Sequence, residues 1–306
     1  MTFRAFFIRS LALSLSIVVL VVSFNVFMNE YGLFGDVKGK SIKIYGDERT
    51  SKYLLSLNYI PSNFDGLLIG SSVSDNLDSK RIKGLRVYNA SINGASIAEL
   101  KILVDNVLSR TEPQCVIISL YPILTERSEK RTARMVSGEY WGSLGSINTV
   151  DFYRKKLSVK RGTRYDYFDD YGRYDYNLRK GDRDSESIIR QKAAEMKSGE
   201  TISIDDRAYA ILDDLLKELR SRDTKIFAYY HPIPLDLFVL CEESYRSYQE
   251  RINELFCPED VVWDYNTEEY RNLTRDHWNY CDEIHLSRKG IDFLIYDINA
   301  RLAPQT

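Results

Sequence analysis

The chain has 306 residues, of which 44% are hydrophobic and 28% charged, so it is long enough for one large domain with a substantial core and an additional segment. Its formal net charge of -2 argues against a protein that binds nucleic acid or another polyanion. Two basic stretches, residues 127–134 and 154–164, have the composition of a surface that contacts phosphates or anionic lipid, although a solvated face explains them more simply.

An uncharged apolar segment lies near the amino terminus. Residues 10–29 contain no charged side chain and are apolar almost throughout, so they can cross a bilayer as one helix. Arg4 and Arg9 precede the segment, whereas the flank after it starts with the acidic Glu30. The positive-inside rule therefore predicts a cytosolic tail at residues 1–9 and a large domain on the other side of the membrane.

A cleaved signal peptide is the alternative interpretation of this segment. The apolar stretch is longer than a usual signal-peptide core, and no small-x-small cleavage site follows Ser23. The sequence therefore favours an uncleaved transmembrane anchor at residues 10–29.

The four cysteines have neither CxxC nor zinc-finger spacing. Cys115 falls in a predicted core strand, where a buried thiol is expected. Cys241 and Cys257 flank one predicted helix, which would hold them about 24 Å apart and prevent a disulfide between them. We expect no disulfide.

Beyond a polar connector at residues 30–60, short β-type runs alternate with helical patterns across the domain at residues 61–306. This alternation predicts an α/β fold with a mainly parallel sheet. The predicted strands are residues 66–70, 85–89, 115–121, 225–230 and 261–265. The predicted helices are residues 96–109, 203–221, 242–256 and 287–302.

The alternation breaks down at residues 124–201, which are charged and rich in tyrosine. This stretch lacks apolar runs long enough to close a core, so it is predicted to be an insertion that forms a cap. Its tyrosines either stack on sugar rings or pack on one another.

Polar residues follow the first two predicted strands, at the sheet edge where parallel α/β folds bind ligands. Ser71 and Ser72 come directly after the first strand, where a serine either exposes a nucleophilic hydroxyl or caps a helix. Gly94 follows the second strand and permits either a close backbone approach or a simple turn. Near the carboxyl terminus, Asp282 precedes His285 by three residues, so the carboxylate can reach the imidazole within one turn. A solvent-exposed loop histidine is the simpler alternative.

Taken together, these blocks resemble the SGNH (GDSL-like) hydrolase superfamily. The sequence GSSVS at residues 70–74 is similar to its GDS-x-S block, which implies that Ser72 is the nucleophile. NASING at residues 89–94 resembles the second block, so Gly94 would join the backbone N–H of Ser72 in the oxyanion hole.

The last block of the resemblance is DEIH, which implies Asp282 as the orienting acid and His285 as the general base. The resemblance covers residues 65–302 without the insertion. It implies a flavodoxin-like three-layer sandwich, to which the chain adds one amino-terminal transmembrane helix.

One block departs from the family pattern. After its third strand the family carries Gly-x-Asn-Asp, whose asparagine is an oxyanion donor, whereas this chain has Tyr121, Pro122 and Ile123. Losing such a donor lowers the rate by about 10²–10³. Asn93, Asn76 and Tyr121 are the candidate replacements.

Two further features are placed by the sequence alone. Tyr121 and His231 follow the third and fourth strands, so both are candidates for substrate contact, although a loop histidine explains His231 equally well. Asp276, His277, Asp282 and His285 have no recurrent ligand spacing, so no metal site and no cofactor are predicted.

The departure in the third block and the anchor resemble the membrane-anchored SGNH-like proteins of bacterial envelope acylation, of the DltD and alginate-acetylation type. The implied function is an outward-facing serine esterase or O-acyltransferase that acts on an envelope glycan or related polyol through an acyl-serine intermediate, with an acyl donor and the glycan or polyol as its partners. Its implied location is the bacterial cell membrane, with the large domain extracytoplasmic and a membrane-bound O-acyltransferase as a partner. The alternative is a catalytically weak or inactive relative that binds glycan or assists such an acyltransferase.

Overall fold

The computed structural model describes residues 2–129, 135–145, 147–160, 167–175, 184–196 and 201–302. Its centre is a five-stranded, all-parallel sheet in the order β2-β1-β3-β4-β5. The strands are β1 (Gly66–Ile69), β2 (Val87–Asn89), β3 (Cys115–Leu120), β4 (Lys225–Tyr230) and β5 (Val261–Asp264). The predicted α/β fold with a parallel sheet is confirmed.

Helices connect the strands and precede them. They are α1 (Phe3–Met28), α2 (Glu48–Ser56), α3 (Tyr59–Asn63), α4 (Ser72–Asp75), α5 (Ile97–Leu108), α6 (Gly138–Gly142), α7 (Ile147–Lys160), α8 (Ser185–Glu195), α9 (Asp206–Ser221), α10 (Leu235–Asn253), α11 (Arg271–Arg275) and α12 (Arg288–Leu302). Short 3₁₀ turns lie at Ser79–Arg81, Pro122–Leu124, Glu268–Tyr270 and His277–Asn279.

Both boundaries of each predicted strand lie within two residues of the observed boundaries. Short apolar runs bounded by turns are a strong local signal for strands. The helix predicted at residues 242–256 begins seven residues earlier, at Leu235. Residues 235–241 are almost all apolar, so they show no polar face from which a helical period can be recognised. Cys241 therefore lies inside α10, not at its end. The four cysteines, all within the described ranges, are not joined by disulfides.

The sheet is buried on both faces, as expected when helices cover a parallel sheet on each side. Every residue of β1, β2 and β3 is buried. The residues predicted to form a connector contain α2 and the start of α3, and both helices pack against α5. Seven of the nine residues of α2 are buried, Lys52 among them, so this segment contributes to the domain core.

The apolar amino-terminal segment forms α1, a helix whose hydrophobic side chains are largely exposed. By length and composition it can cross a bilayer, although a signal sequence would meet the same criteria. Its last turns contact the rest of the described chain. Asn25 donates a side-chain hydrogen bond to the carbonyl of Leu144 and accepts one from the hydroxyl of Tyr153 at 2.9 Å.

Part of the predicted insertion packs on the β2 edge of the sheet. The N–H of Asn89 donates to the carbonyl of Tyr171 at 2.8 Å. The ring of Tyr171 meets that of Phe64 edge-on, with centroids 5.1 Å apart. Several stretches of the predicted cap lie outside the described residues.

Candidate active site

The loop between the His277–Asn279 turn and α12 brings an acid and an imidazole together. Oδ2 of Asp282 lies 2.9 Å from Nδ1 of His285. The other oxygen, Oδ1, accepts the backbone N–H groups of Ile284 at 3.0 Å and of His285 at 2.7 Å. The Asp282 carboxylate is buried, and three groups of its own loop lie within hydrogen-bond distance of it.

This arrangement determines the tautomer of His285 if the carboxylate is ionised. An ionised carboxylate only accepts hydrogen bonds, so Nδ1 must carry the proton that it donates to Asp282. Nε2 then presents a lone pair that can take a proton, as a general base requires.

Ser72 begins α4, three residues after the end of β1. A hydrogen bond joins the segment that follows Ser72 to the loop of His285: Nδ2 of Asn76 donates to the carbonyl of Leu286 at 2.8 Å. Asn76 is the residue directly after α4, and Leu286 directly follows His285. This hydrogen bond brings the GSSVS and DEIH segments to the same edge of the sheet, although they are more than two hundred residues apart in the sequence.

Gly70, at the start of this turn, lies so close to Ser74 and Ser119 that any side chain at this position would clash with them. A Cβ atom at this position would lie 2.2 Å from Oγ of Ser74 and 2.9 Å from Cβ of Ser119. Oγ of Ser74 is itself hydrogen-bonded to Oγ of Ser91 at 2.8 Å, which joins the turn after β1 to the turn after β2. Gly70 therefore lets the two turns lie against each other.

The turn after β2 carries Gly94, whose φ of +58° lies in the left-handed region that glycine adopts without strain. The turn is attached to the β1 edge by the N–H of Ile92, which donates to the carbonyl of Gly70 at 3.0 Å. The neighbouring Asn93 is exposed, and its backbone N–H donates to Oε2 of Glu48 at 3.1 Å. Its carbonyl accepts from Arg49 at 2.7 Å. Asn93 is thus engaged through its backbone by two side chains of α2.

Sequence analysis missed a buried charge cluster beneath this turn. Nζ of Lys52 donates to Oδ1 of Asp75 at 2.8 Å, to Oε1 of Glu48 at 3.2 Å and to the carbonyl of Ser91. Burial opposes the charge on Lys52, yet the Asp75 and Glu48 carboxylates raise its pKa. Burial and the nearby Glu48 raise the pKa of Asp75 well above its usual range. The only local signal was the high charge of residues 47–52, which resembles that of an ordinary exposed helix.

His231 lies behind the Asp282–His285 loop. Its side chain is fully buried, and Nε2 lies 3.1 Å from the carbonyl of Ile284. Burial lowers the pKa of His231 to about 3, so the ring is neutral at ordinary pH and Nε2 donates to that carbonyl. The structure therefore places His231 as a support of the loop, beneath the rim where the sequence suggested a substrate contact.

A cavity of about 370 Å³ opens beside the same loop, above the carboxyl ends of β3 and β4. Most of its lining is apolar, and Glu283 and Ile284 bring its wall to within one residue of His285. Tyr121 lines the cavity and meets the ring of His231 edge-on at 6.2 Å. The remaining lining residues include Pro122, Ile123, Ile202, Ile233, Leu237 and Cys241. Residues 121–123 thus form part of the apolar lining of this cavity.

The other two residues weighed as metal ligands pair elsewhere. Nε2 of His277 lies 2.9 Å from Oδ2 of Asp236, and Asp276 accepts from Nζ of Lys289 at 2.5 Å. Within the described ranges, no group of three or more His, Cys, Asp and Glu side chains is arranged to hold a metal ion.

No protein-family model matches the chain, and no curated protein matches it. Among solved structures, a Streptococcus pneumonia protein provisionally described as a platelet activating factor is 11% identical, with a TM-score of 0.44 over 83% of this chain and 91% of its own. TesA is 14% identical, with a TM-score of 0.39 over 78% of this chain and 98% of its own. The acetyl xylan esterase AlAXEase is also 14% identical, with a TM-score of 0.39 over 78% of this chain and 99% of its own. Similarities this low establish neither a family nor an activity for this chain.

Proposed function

We propose that the chain is a membrane-anchored, outward-facing serine esterase or O-acyltransferase that forms an acyl-enzyme on Ser72. The observation that carries the proposal is the buried Asp282 carboxylate 2.9 Å from Nδ1 of His285, on a loop that also contacts the segment of Ser72. A serine hydroxyl is a weak nucleophile at neutral pH, and such a pair supplies the base that it needs.

In the proposed reaction, Oγ of Ser72 attacks the carbonyl carbon of an ester while Nε2 of His285 takes the hydroxyl proton. Asp282 stabilises the imidazolium that forms. The backbone N–H groups of Ser72 and Gly94 are the proposed donors to the oxyanion, with Asn93 as a further candidate. Collapse of the tetrahedral intermediate breaks the ester C–O bond, and His285 returns the proton to the departing alkoxide, which leaves as the alcohol.

The second half of the reaction repeats these steps with a new nucleophile. Water or an acceptor hydroxyl gives its proton to His285 and attacks the acyl carbon, which releases a carboxylic acid or a new ester and restores Ser72. Transfer prevails over hydrolysis if water is excluded. The proposed acceptor is a glycan or related polyol of the bacterial envelope, and the proposed partner is a membrane-bound O-acyltransferase.

We assign the acyl part of the substrate to the apolar cavity beside Glu283 and Ile284. Its volume of about 370 Å³ falls within the range of small-molecule sites. The cavity lies at the ends of β3 and β4, whereas Gly94 lies after β2. In the sheet order, the cavity and Gly94 are therefore on opposite sides of β1, the strand that Ser72 follows.

Support for a retained anchor comes from the contacts at the end of α1. Asn25 bonds to both Leu144 and Tyr153, and Phe24 meets the ring of Tyr153 edge-on at 5.4 Å. Glu30 pairs with Lys156 at 2.7 Å. Removal of the segment as a signal peptide would eliminate the contacts of Phe24 and Asn25 if cleavage followed them.

The test is covalent labelling of the full chain in detergent with a fluorophosphonate probe. Wild type should be labelled at Ser72, as located by peptide mass, and Ser72→Ala should not. Ser71→Ala is the matched control, because Ser71 is the neighbouring serine and its side chain is buried. Absence of labelling in a folded wild-type chain would overturn the catalytic proposal.

A second function, a binding or assembly partner without strong catalysis, is favoured by two observations. Tyr121 stands where the family's oxyanion asparagine would be, and the N–H of Asn93 is already bonded to Glu48. A chain that resists labelling but retains glycan binding, or that co-purifies with an O-acyltransferase, would have this function.

A further inference from the structure

A second cavity, of about 530 Å³, lies where α1 joins the rest of the chain. Its lining includes Lys40, Lys43, Lys156, Glu30, Phe27 and Val159. We propose that this cavity binds the phosphate of an anionic phospholipid headgroup in the leaflet that faces the large domain. The proposal rests on the membrane insertion of α1 proposed above and is independent of the esterase chemistry.

The position of the cavity along α1 agrees with the depth of a headgroup. Residues 10–29 are uncharged, and at 1.5 Å per residue they span about 30 Å, the thickness of the hydrocarbon core. Glu30 is the first charged residue after them, and the cavity lining begins at Phe27. Phe27 is 84% exposed in the protein, as expected for a side chain that is covered by lipid.

The charge of the cavity is complementary to a phosphate. Three lysines line it against the single carboxylate of Glu30, which is already paired with Lys156 at 2.7 Å. Lys40 and Lys43 are both exposed and add two positive charges that this carboxylate does not neutralise. Lysines at a membrane surface attract the phosphate of an anionic lipid headgroup.

The backbone that carries these two lysines is held in place by the domain. The carbonyl of Lys40 accepts a hydrogen bond from the hydroxyl of Tyr59 at 3.2 Å. Next to Lys43, Ile44 exchanges backbone hydrogen bonds with Phe168 at 2.9 and 3.1 Å. A fixed backbone lowers the entropy lost when the lysines close on a ligand.

Part of the cavity lining is suited to the rest of a lipid. Phe27 and Met28 of α1 and Val159 of α7 supply apolar surface. A phospholipid carries its phosphate next to a glycerol ester and acyl chains, so one molecule satisfies both the lysines and these apolar side chains. Free phosphate would satisfy only the lysines.

The test uses the full chain in detergent with an equal mixture of phosphatidylglycerol and phosphatidylcholine, and native mass spectrometry to count retained lipids. Wild type should retain phosphatidylglycerol preferentially. The variant Lys40→Gln/Lys43→Gln should bind phosphatidylglycerol about 30-fold more weakly. Each lysine near anionic lipid contributes about 1 kcal/mol, and about 1.4 kcal/mol corresponds to tenfold in affinity. Lys38→Gln/Lys83→Gln removes the same charge outside the cavity and should retain the preference.

Three results would overturn the proposal. Equal retention of both lipids by wild type, or equal losses in the two double variants, would show that no specific headgroup site exists. Displacement of phosphatidylglycerol by an equal concentration of inorganic phosphate would show that the cavity binds phosphate without the lipid. Fluorophosphonate labelling of the same sample distinguishes failure of this site from failure of the esterase proposal, and absence of the chain from reconstituted vesicles would identify failure of membrane insertion.

Discussion

Replacing Lys52 with methionine should destabilise the domain strongly, because it leaves the buried carboxylate of Asp75 without its cation. Lys52 is 1% exposed and donates to Asp75, Glu48 and the carbonyl of Ser91. Methionine fills a similar volume but donates no hydrogen bond. Removing one partner of a buried ion pair costs about 3–5 kcal/mol.

The magnitude can be compared with a matched substitution on the surface. Lys101 also pairs with two carboxylates, Asp105 at 2.7 Å and Glu218 at 3.1 Å, but its side chain is 23% exposed. Solvent screens these pairs, so Lys101→Met should cost about 1 kcal/mol or less. The two variants remove the same group and differ mainly in burial.

Thermal unfolding followed by tryptophan fluorescence measures the difference, since Trp263 packs in the core on β5. Lys52→Met should lower Tm by roughly 10 °C, and Lys101→Met by a few degrees at most. Adding Asp75→Asn to Lys52→Met should recover part of the loss, because it replaces a buried carboxylate with a neutral amide of similar shape. If the two lysine variants were equally stable, the argument from burial would be wrong.

Three further predictions concern the candidate site. Asp282→Asn should lower the rate of fluorophosphonate labelling about 10³–10⁴-fold, because the amide no longer selects the tautomer of His285; a rate within tenfold of wild type contradicts this role. The pKa of His231 is about 3 in the folded protein, against an ordinary value of 6.5. Between pH 6.5 and pH 3 the unfolded chain therefore binds a proton at His231 that the folded chain does not, so the stability of the fold decreases as the pH falls through this range. His231→Asn should flatten that dependence in denaturant titrations at pH 7 and pH 4.5, and an unchanged slope would exclude His231 as its source. Cys241→Trp should fill the cavity and lower kcat/KM for an octanoyl ester at least tenfold, while kcat/KM for the acetyl ester stays unchanged. The reason is that each buried methylene of the acyl chain contributes about fourfold to kcat/KM. Equal losses for both esters would place the acyl chain elsewhere.

Local sequence signals were sufficient for the parallel sheet and for the acid–imidazole pair. Strands such as Cys115–Leu120 are uninterrupted apolar runs, and a strand buried on both faces requires that pattern whatever surrounds it. Asp282 and His285 are three residues apart, so one turn of chain brings them together without help from the rest of the fold. Both features depend on neighbours in sequence.

Only the tertiary structure showed that residues 48–56 support the turn that carries Gly94. In sequence, Glu48, Arg49 and Lys52 are consistent with the charged face of an exposed helix, yet the fold directs them to partners more than twenty residues away, Asp75 and the backbone of Ser91 and Asn93. A charged side chain has the same local sequence pattern whether water or a buried counter-charge surrounds it. Burial is decided by how distant segments pack, and this is why the charge cluster and the role of His231 could not be inferred from the order of the residues alone.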